Sequence, residues 1–344
     1  MKVILTNSVL GVFLLIMLLI GVFINGLRPS SVPQLIQIPT SVDIQKGVGF
    51  NEITNLLISK GLIRSGLVFK LYAIFSGKAK HLKSGRYVFY SPVSIPSLME
   101  TLKEGPAEIS AVIFPGMTLK EIDERLASLG VIDSGDLINY NSKKGFNNLE
   151  ADYFFVEKAV SLEGYLLPDT YRFYPNSDIK IIVKKILNNF KEKVLPLFQE
   201  TNRAIDKNDK MPRILTLASY LEKEVIDDGE RKIVAGIFEK RLKVGMPLQI
   251  DATVIYTKCL GEFLNCPALQ KSDYAIDSPY NTYRYFGLTP TPIANPSLES
   301  IKAVLNKKSS PYWYYLSDPK TKKTIFSEDF NEHNRNIAKY LLNK

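Results

Sequence analysis

Cysteine and histidine are scarce, two of each in 344 residues. Two cysteines cannot build a disulfide-dense scaffold, and two histidines leave little for a histidine-ligated metal or a serine–histidine nucleophile. The carboxylates form no ligand-spaced cluster, so the sequence points to no metal and no cofactor. Acidic residues are in the minority, 35 Asp and Glu against 44 Lys and Arg, a net charge of +9. Such a balance invites nucleic acid, an anionic membrane or an anionic polymer. A basic stripe interleaved with aromatics is missing, and with it the usual footprint of nucleic-acid binding. Apolar residues are plentiful, 45% of the chain, enough at this length for two or three domains.

A long uncharged run opens the chain, with no charge between Lys2 and Arg28. Ser8 to Leu27 is long enough to cross about 30 Å of hydrocarbon as a helix. Asn25-Gly26-Leu27-Arg28 is a poor match to a small-x-small cleavage site. These features predict an uncleaved single-pass anchor over 8–27, with 1–7 as a cytoplasmic tail and the bulk of the chain outside. Positive charge flanks both ends, so the positive-inside signal is weak. Arg28 to Glu108 holds ten Lys or Arg against five Asp or Glu, which fits anionic lipid head groups or an ordinary solvated surface. An exported domain meets no genome, which removes nucleic acid as a partner.

An internal repeat follows. Lys46 to Ser65 aligns without a gap to Pro115 to Ser134, pairing Gly47 with Gly116, Glu52 with Glu121, Leu57 with Leu126 and Gly61 with Gly130. Each copy reads as a short strand (Leu35 to Ile38; Ile109 to Phe114), a glycine turn and a helix with apolar residues at helical spacing, as in Leu119, Ile122, Leu126 and Leu129. Thr118 with Glu121 reads as a capping box and Gly130 as a helix stop. So small a unit suits either a minor binding module or plain packing. Asn139 to Asp152 is polar and reads as a linker or loop. Helices are predicted over Ile179–Phe198, Pro212–Val225, Arg231–Val244 and Ser297–Asn306. A hairpin is predicted from Tyr312–Ser317 and Thr324–Ser327, and a closing helix from Phe330. Strands and helices without regular alternation give an α+β class.

Four stretches carry the chemistry. Ser161 to Pro175 places Glu163 in a run dense with Tyr and Phe, whose faces suit sugar rings. On the helix from Pro212, Ile214, Ala218, Leu221 and Val225 form the buried stripe, with Glu222 and Glu224 flanking it some 200° apart. Tyr220, Leu221 and Leu217 lie one and two turns back from Glu224, an apolar setting that raises a carboxyl pKa as a general acid needs. Leu248 to Asp251 reads as extended, bringing Gln249 and Asp251 to one face. Ser278 to Ser297, rich in proline and without helical period, reads as a rigid binding wall.

Together these stretches resemble the endolytic murein transglycosylases of the YceG-like (MltG) family. The resemblance is carried by Leu162-Glu163-Gly164-Tyr165, Pro168-Asp169-Thr170-Tyr171, Ala218-Ser219, Glu222-Lys223-Glu224, Phe238 and Arg241-Leu242. It continues through Gly245-Met246-Pro247-Leu248-Gln249, Asp251, Thr253-Val254-Ile255-Tyr256, Tyr280-Asn281-Thr282-Tyr283 and Gly287-Leu288. The order agrees over nearly the whole chain. Thr289, Thr291 and Ser297 depart from the pattern, standing where the family usually has Pro, Gly and Gly.

The resemblance implies an inner-membrane enzyme that cuts peptidoglycan glycan strands internally. It would cleave between N-acetylmuramic acid and N-acetylglucosamine without water, leaving a 1,6-anhydro end. It would terminate glycan elongation beside peptidoglycan synthases, its partners along with the glycan strands and the lipid around its anchor. It implies a membrane-proximal α+β module over 28–107, a LysM-like module over 108–150 and a catalytic domain over 151–344. The family's catalytic acid lies in the Glu-Lys-Glu motif and is matched to Glu224, with Glu222 the other candidate. Glu163, Tyr165, Asp169, Tyr171, Glu222, Gln249, Asp251, Asn281 and Tyr283 are expected to bind substrate. Two readings stay open beside it. One is a hydrolase, in which Glu163, Glu222 or Asp251 supplies a second carboxylate about 5–9.5 Å from the acid. The other is a non-catalytic anchored peptidoglycan-binding protein. Cys259 and Cys266, with Gly261, Asn265 and Pro267 supplying turn chemistry, are expected to pair as a local disulfide staple on the side of the membrane where disulfides persist.

Overall fold

Hydrophobic periodicity, turn glycines and caps build an α+β chain whose strands come in pairs. The structure, a computed structural model, describes residues 2–29, 40–45, 47–89, 91–142, 145–149, 153–157, 159–200 and 207–342. Contacts divide the chain into two compact units, Met1–Ile109 with Tyr174–Asn176, and Ser110–Phe173 with Ser177–Lys344.

In the first unit, α1 (Lys2–Gly26) precedes β1 (Thr40–Ile44), α2 (Phe50–Ser59), α3 (Gly66–Phe75), β2 (Gly85–Phe89) and α4 (Ile95–Glu104). β1 and β2 pair antiparallel with Val42 opposite Tyr87. Alternation sends Val42, Ile44, Tyr87 and Phe89 inward, onto Leu57, Phe69, Leu98 and Met99. The N-terminal run is helical, but the expected anchor over 8–27 needs correction. Among the described residues no helix is long and apolar enough to cross a membrane. The end of the run is spent on protein: Phe23 and Leu27 pack on the core, and the Leu27 carbonyl accepts from the Ile95 N–H at 3.0 Å. The expected inner-membrane localisation with a cytoplasmic N-terminus, built on that anchor, is overturned with it.

The second unit starts within β3 (Ile109–Ile113) and continues through α5 (Leu119–Ser128), α6 (Asp136–Ser142), β4 (Asp169–Phe173), α7 (Ile179–Glu200), α8 (Lys207–Glu224), α9 (Asp228–Lys243) and α10 (Asp251–Lys258). It ends with α11 (Leu298–Leu305), β5 (Tyr314–Ser317), β6 (Thr324–Ser327) and α12 (Phe330–Ile337). β3 pairs with β4; β5 and β6 form the expected hairpin, antiparallel with Tyr315 opposite Phe326.

The repeat is structural. α2 and α5 occupy aligned positions, each after a glycine at positive φ, Gly47 at 89° and Gly116 at 79°. The strand of the first copy is Thr40–Ile44; the expected one at Leu35 to Ile38 lies outside the described residues. The capping box of Thr118 and Glu121 forms on both sides. The stretch from 139 to 152 is less of a loop than its polarity implies. It continues α6 and adds a 3₁₀ turn at Gly145–Leu149, in which Phe146 and Leu149 are buried; residues 143, 144 and 150–152 lie outside the described residues.

α8 is central rather than one-sided. Leu215, Leu217, Ala218, Tyr220 and Leu221 are all buried, because α9, α10 and α11 pack around it. Thr216 and Ser219, also buried, spend their hydroxyls on the Pro212 and Thr216 carbonyls, so the helix tolerates them inside. After α10, Cys259 and Cys266 are joined, Cα atoms 5.8 Å apart. Their loop is tied to the start of α5: Thr118 Oγ1 donates to the Gly261 carbonyl, Lys120 pairs with Glu262, and Glu121 accepts from the Phe263 N–H. Replacing both cysteines by serine should lower stability by about 2 kcal/mol, the loop-entropy share of so short a closure. Chemical denaturation without reductant reads it as a lower midpoint at unchanged slope; an unchanged midpoint would mean the other ties already fix the loop.

Candidate functional site

Glu163 sits in a tight turn closed by Gly164. That glycine is at φ +89°, where a Cβ would meet the Pro292 ring at 2.5 Å. The Glu163 carboxylate is buried and accepts from the Leu119 N–H at 3.1 Å, the Asn295 amide at 3.0 Å and the Tyr256 hydroxyl at 3.3 Å. Burial pushes its pKa up to about 8, against the Leu119 and Tyr256 hydrogen bonds. Asn295, itself fully buried, accepts from the Gly164 and Leu166 N–H groups and donates to Met117 O and Glu163. This network ties the turn before α5 to the Glu163 turn, to α10 and to the loop before α11. Asn295 is not among the expected site residues; its only sequence signal is its place in the proline-rich wall.

Tyr165, Asp169 and Tyr171 form a separate group. Tyr165 is buried against Phe190. Asp169 accepts from Lys193 and Asn189 of α7. The Tyr171 hydroxyl donates to the Leu167 carbonyl at 2.6 Å and accepts from Asn189. All three fasten β4 and its approach to α7.

Two residues apart on α8, Glu222 and Glu224 face different surroundings. Glu222 is 6% exposed and pairs with Arg231 at 3.3 Å. Its other oxygen accepts from both the N–H and the hydroxyl of Ser297, the N-cap of α11. Glu224 is half-buried and makes no ion pair among the described residues. Its carboxyl accepts a long bond, 3.4 Å, from the Ala252 N–H, and a bond from the Tyr315 hydroxyl. Burial, then the nearby Asp251 charge, raises its pKa to about 7, with Ala252 and the Tyr315 hydroxyl acting the other way.

Around Glu224 the expected residues converge, though not as an extended strand. Gln249 sits at φ 55°, a left-handed conformation rare for its type. Ile250 caps α10, and Asp251 is its first residue. The alternation that would put Gln249 and Asp251 on one face is therefore absent. Thr282 pins the turn, accepting from Gln249 N through its carbonyl and from Ile250 N through its hydroxyl. Asp251 accepts from the Tyr283 hydroxyl at 2.6 Å and the Tyr274 hydroxyl at 3.3 Å. Asn281 is buried and shapes this corner from behind, donating to Tyr274 O and Ile276 O and accepting from Tyr283 N. Tyr315 closes the site from the hairpin, edge-on to Phe238. Burial, with Glu224 beside it, holds its hydroxyl protonated far beyond neutral pH. Tyr274 and Tyr315 are not among the expected residues; each lies in an aromatic-rich segment where no spacing singles it out. Among the described residues no group of three or more His, Cys, Asp or Glu could hold a metal ion.

The arrangement is one carboxyl with a raised pKa and a hydroxyl-fastened carboxylate neighbour in a polar corner. The chain belongs to the YceG-like family, which it matches over residues 42–339. It is 30% identical over 331 residues to an endolytic murein transglycosylase of Streptococcus pneumoniae strain R6, covering 88% of this chain and 59% of that protein. It is 29% identical over 318 residues to one of Bacillus subtilis strain 168, covering 88% of this chain and 85% of that one. The chain thus spans about three-fifths of the length of the S. pneumoniae relative. A crystal structure of a YceG-like protein from Listeria monocytogenes superposes with a TM-score of 0.58 at 30% identity, over 86% of this chain and 98% of that one.

The Glu163 network carries a pH signature. With its folded pKa raised from 4.5 to about 8, Glu163 stabilises the fold fully below about 4.5, and that contribution is lost as pH rises through about 8. Glu163→Gln should remove this decline, so denaturation midpoints of the two proteins should diverge with pH across that window. Parallel profiles would show that the carboxyl is ionised in the fold throughout.

Proposed function

We propose that the chain is a lytic transglycosylase that cleaves the glycosidic bond between N-acetylmuramic acid and N-acetylglucosamine inside peptidoglycan strands, with Glu224 as acid and base. The observation that carries this reading is the setting of Glu224, raised to about 7 by burial and Asp251 and without an ion pair among the described residues, whereas both oxygens of Glu222 are committed. The relatives named endolytic murein transglycosylases support the substrate class. Glu224 protonates the leaving glycosidic oxygen as an oxocarbenium-like centre forms at C1. The resulting carboxylate takes the proton of the substrate's own C6 hydroxyl as that oxygen attacks C1, giving the 1,6-anhydro end with no water consumed. Burial, and then the charge of Asp251, fastened by Tyr283 and Tyr274, raise Glu224 to about 7, so that a large share of it holds its proton near neutral pH. The exposed Gln249 side chain, with Tyr283, is set to meet sugar hydroxyls and acetamides. Internal cuts of this kind would terminate glycan elongation beside the synthases.

The closeness of Asp251 to Glu224 favours one rival, a two-carboxylate hydrolase. Mass analysis of peptidoglycan digested by the purified chain separates them: anhydro ends are expected, and reducing ends would favour the hydrolase. Glu224→Gln should cost at least about 100-fold in turnover with an unchanged circular dichroism spectrum; near-normal turnover would move the role elsewhere.

The acid must hold its proton, so kcat/KM should fall as pH rises through about 7, the raised value of Glu224. Asp251→Asn removes the negative charge that lifts that value, and the fall should move to lower pH. A profile left in place would mean that another group titrates.

A further inference from the structure

Beside α5 lies a groove of about 640 Å³ that the chemistry above does not use. One wall is the turn and first face of α5, with Phe114, Glu121 and Arg125; the other is the disulfide-closed loop, with Glu262, Phe263 and Leu264; Lys223 of α8 closes one side. Phe114 is 52% exposed and Leu264 87% exposed, so the walls offer apolar surface as well as charge.

The charges in the groove are not equally available. Glu121 spends both oxygens on the Thr118 and Phe263 N–H groups. Glu262 is held by Lys120 and Asn265. The two cations make no hydrogen bond or ion pair among the described residues. Each is seated on an aromatic ring, Lys223 Nζ at 3.6 Å over Phe263 and the Arg125 guanidinium 5.9 Å from Phe114. The Arg125 Nε is buried without a partner, and a buried donor left unpaired is costly. Glu124, exposed, makes no hydrogen bond or ion pair among the described residues. The unspent recognition capacity is thus two oriented cations beside aromatic and aliphatic walls.

We infer that this groove binds a peptide bearing carboxylates between small apolar residues, the kind of branch a peptidoglycan strand carries. The inference rests on the reading of peptidoglycan as substrate and names a second feature of it. Lys223 is next to Glu224 in α8 but about 100° round the helix, so a strand reaching Glu224 can lay its branch across the other face. The guanidinium suits a carboxylate in two-point contact, and the ring-mounted ammonium is held for a second.

The test uses the purified full chain and titration calorimetry with alanyl-glutamyl-lysyl-alanine, its fully amidated form, and inorganic phosphate as competitor. The acidic peptide should bind, and amidation should weaken it at least about tenfold, a factor of the size expected for a lost charge-assisted bond. Arg125→Gln and Lys223→Gln, each checked for an unchanged melting temperature, should each weaken it similarly. Glycan strands carrying their peptides should bind tighter than strands stripped by an amidase. Equal binding of the amidated peptide, unchanged binding by folded variants, or displacement by equimolar phosphate would overturn the proposal. The amidated arm needs no variant and decides even where a substitution fails to fold. Cleavage of peptidoglycan without peptide binding would sink the groove alone. Peptide binding without cleavage would sink the catalytic reading and leave the groove standing.

Discussion

A buried carboxyl–amide pair, Glu163 with Asn295, is the constraint on which the second unit depends. Every hydrogen-bonding position of the Asn295 amide is filled, two acceptors by Gly164 and Leu166 and two donors by Met117 and Glu163. Its backbone also exchanges bonds with Gly116 and Met117. Each such group left unpaired inside the fold costs about 1–3 kcal/mol, so the four segments it joins must arrive together. Fixing the turn before α5, the Glu163 turn and the loop before α11 sets the proline-rich wall. Tyr256, also bound to Glu163, sets α10 and hence Asp251 at its start.

α8 turns that frame into a chemical asymmetry. Residues two apart on a helix point about 200° away from each other. One direction meets α9 and α11, where Arg231 and Ser297 consume Glu222. The other meets the start of α10 and the hairpin, where the Ala252 N–H, the Tyr315 hydroxyl and the negative charge of Asp251 face Glu224. Removing either partner of the Glu222–Arg231 pair would leave a buried charge, which binds Glu222 to the architecture. Glu224, with no ion pair among the described residues, is raised to about 7, where a proton is easily exchanged.

Much of this was legible in the sequence where local chemistry decides. The repeat, the Thr118–Glu121 box, the boundaries of α7 and α11, the end of α9 and the terminal hairpin follow from spacing and caps, because those are short-range signals; α9 starts three residues before the expected Arg231, capped by Asp227. The buried stripe of α8 was legible only in part: Ile214 is half-exposed while Leu215 and Leu217 are inside, since a helix packed on several sides has no single face. Leu248 to Asp251 misleads because its apolar–polar alternation is real, yet the Thr282 bonds and the left-handed Gln249 bend it into a helix start. Asn295 and Tyr315 act through partners far away in the chain, a relation no local pattern carries. The N-terminal run suggests a span through its lack of charge, but that signal does not register that Phe23 and Leu27 at its end pack on the protein core.

Three hydroxyls show how the wall is held where the sequence departs from the family's usual residues. The Thr289 hydroxyl lies 2.8 Å from that of Tyr220 and donates to the Thr291 carbonyl. The Thr291 hydroxyl lies 2.8 Å from that of Tyr280. Ser297 caps α11 and binds Glu222. Proline or glycine at these places would shape the backbone through φ alone; the hydroxyls instead fasten it to α8 and to the Tyr280 ring, which lies tilted against Tyr256. Tyr220 and Tyr280 would otherwise carry buried hydroxyls in need of partners. The wall therefore keeps its place by side-chain bonding where backbone restriction is given up, and the corner it forms in front of Glu224 stays fixed.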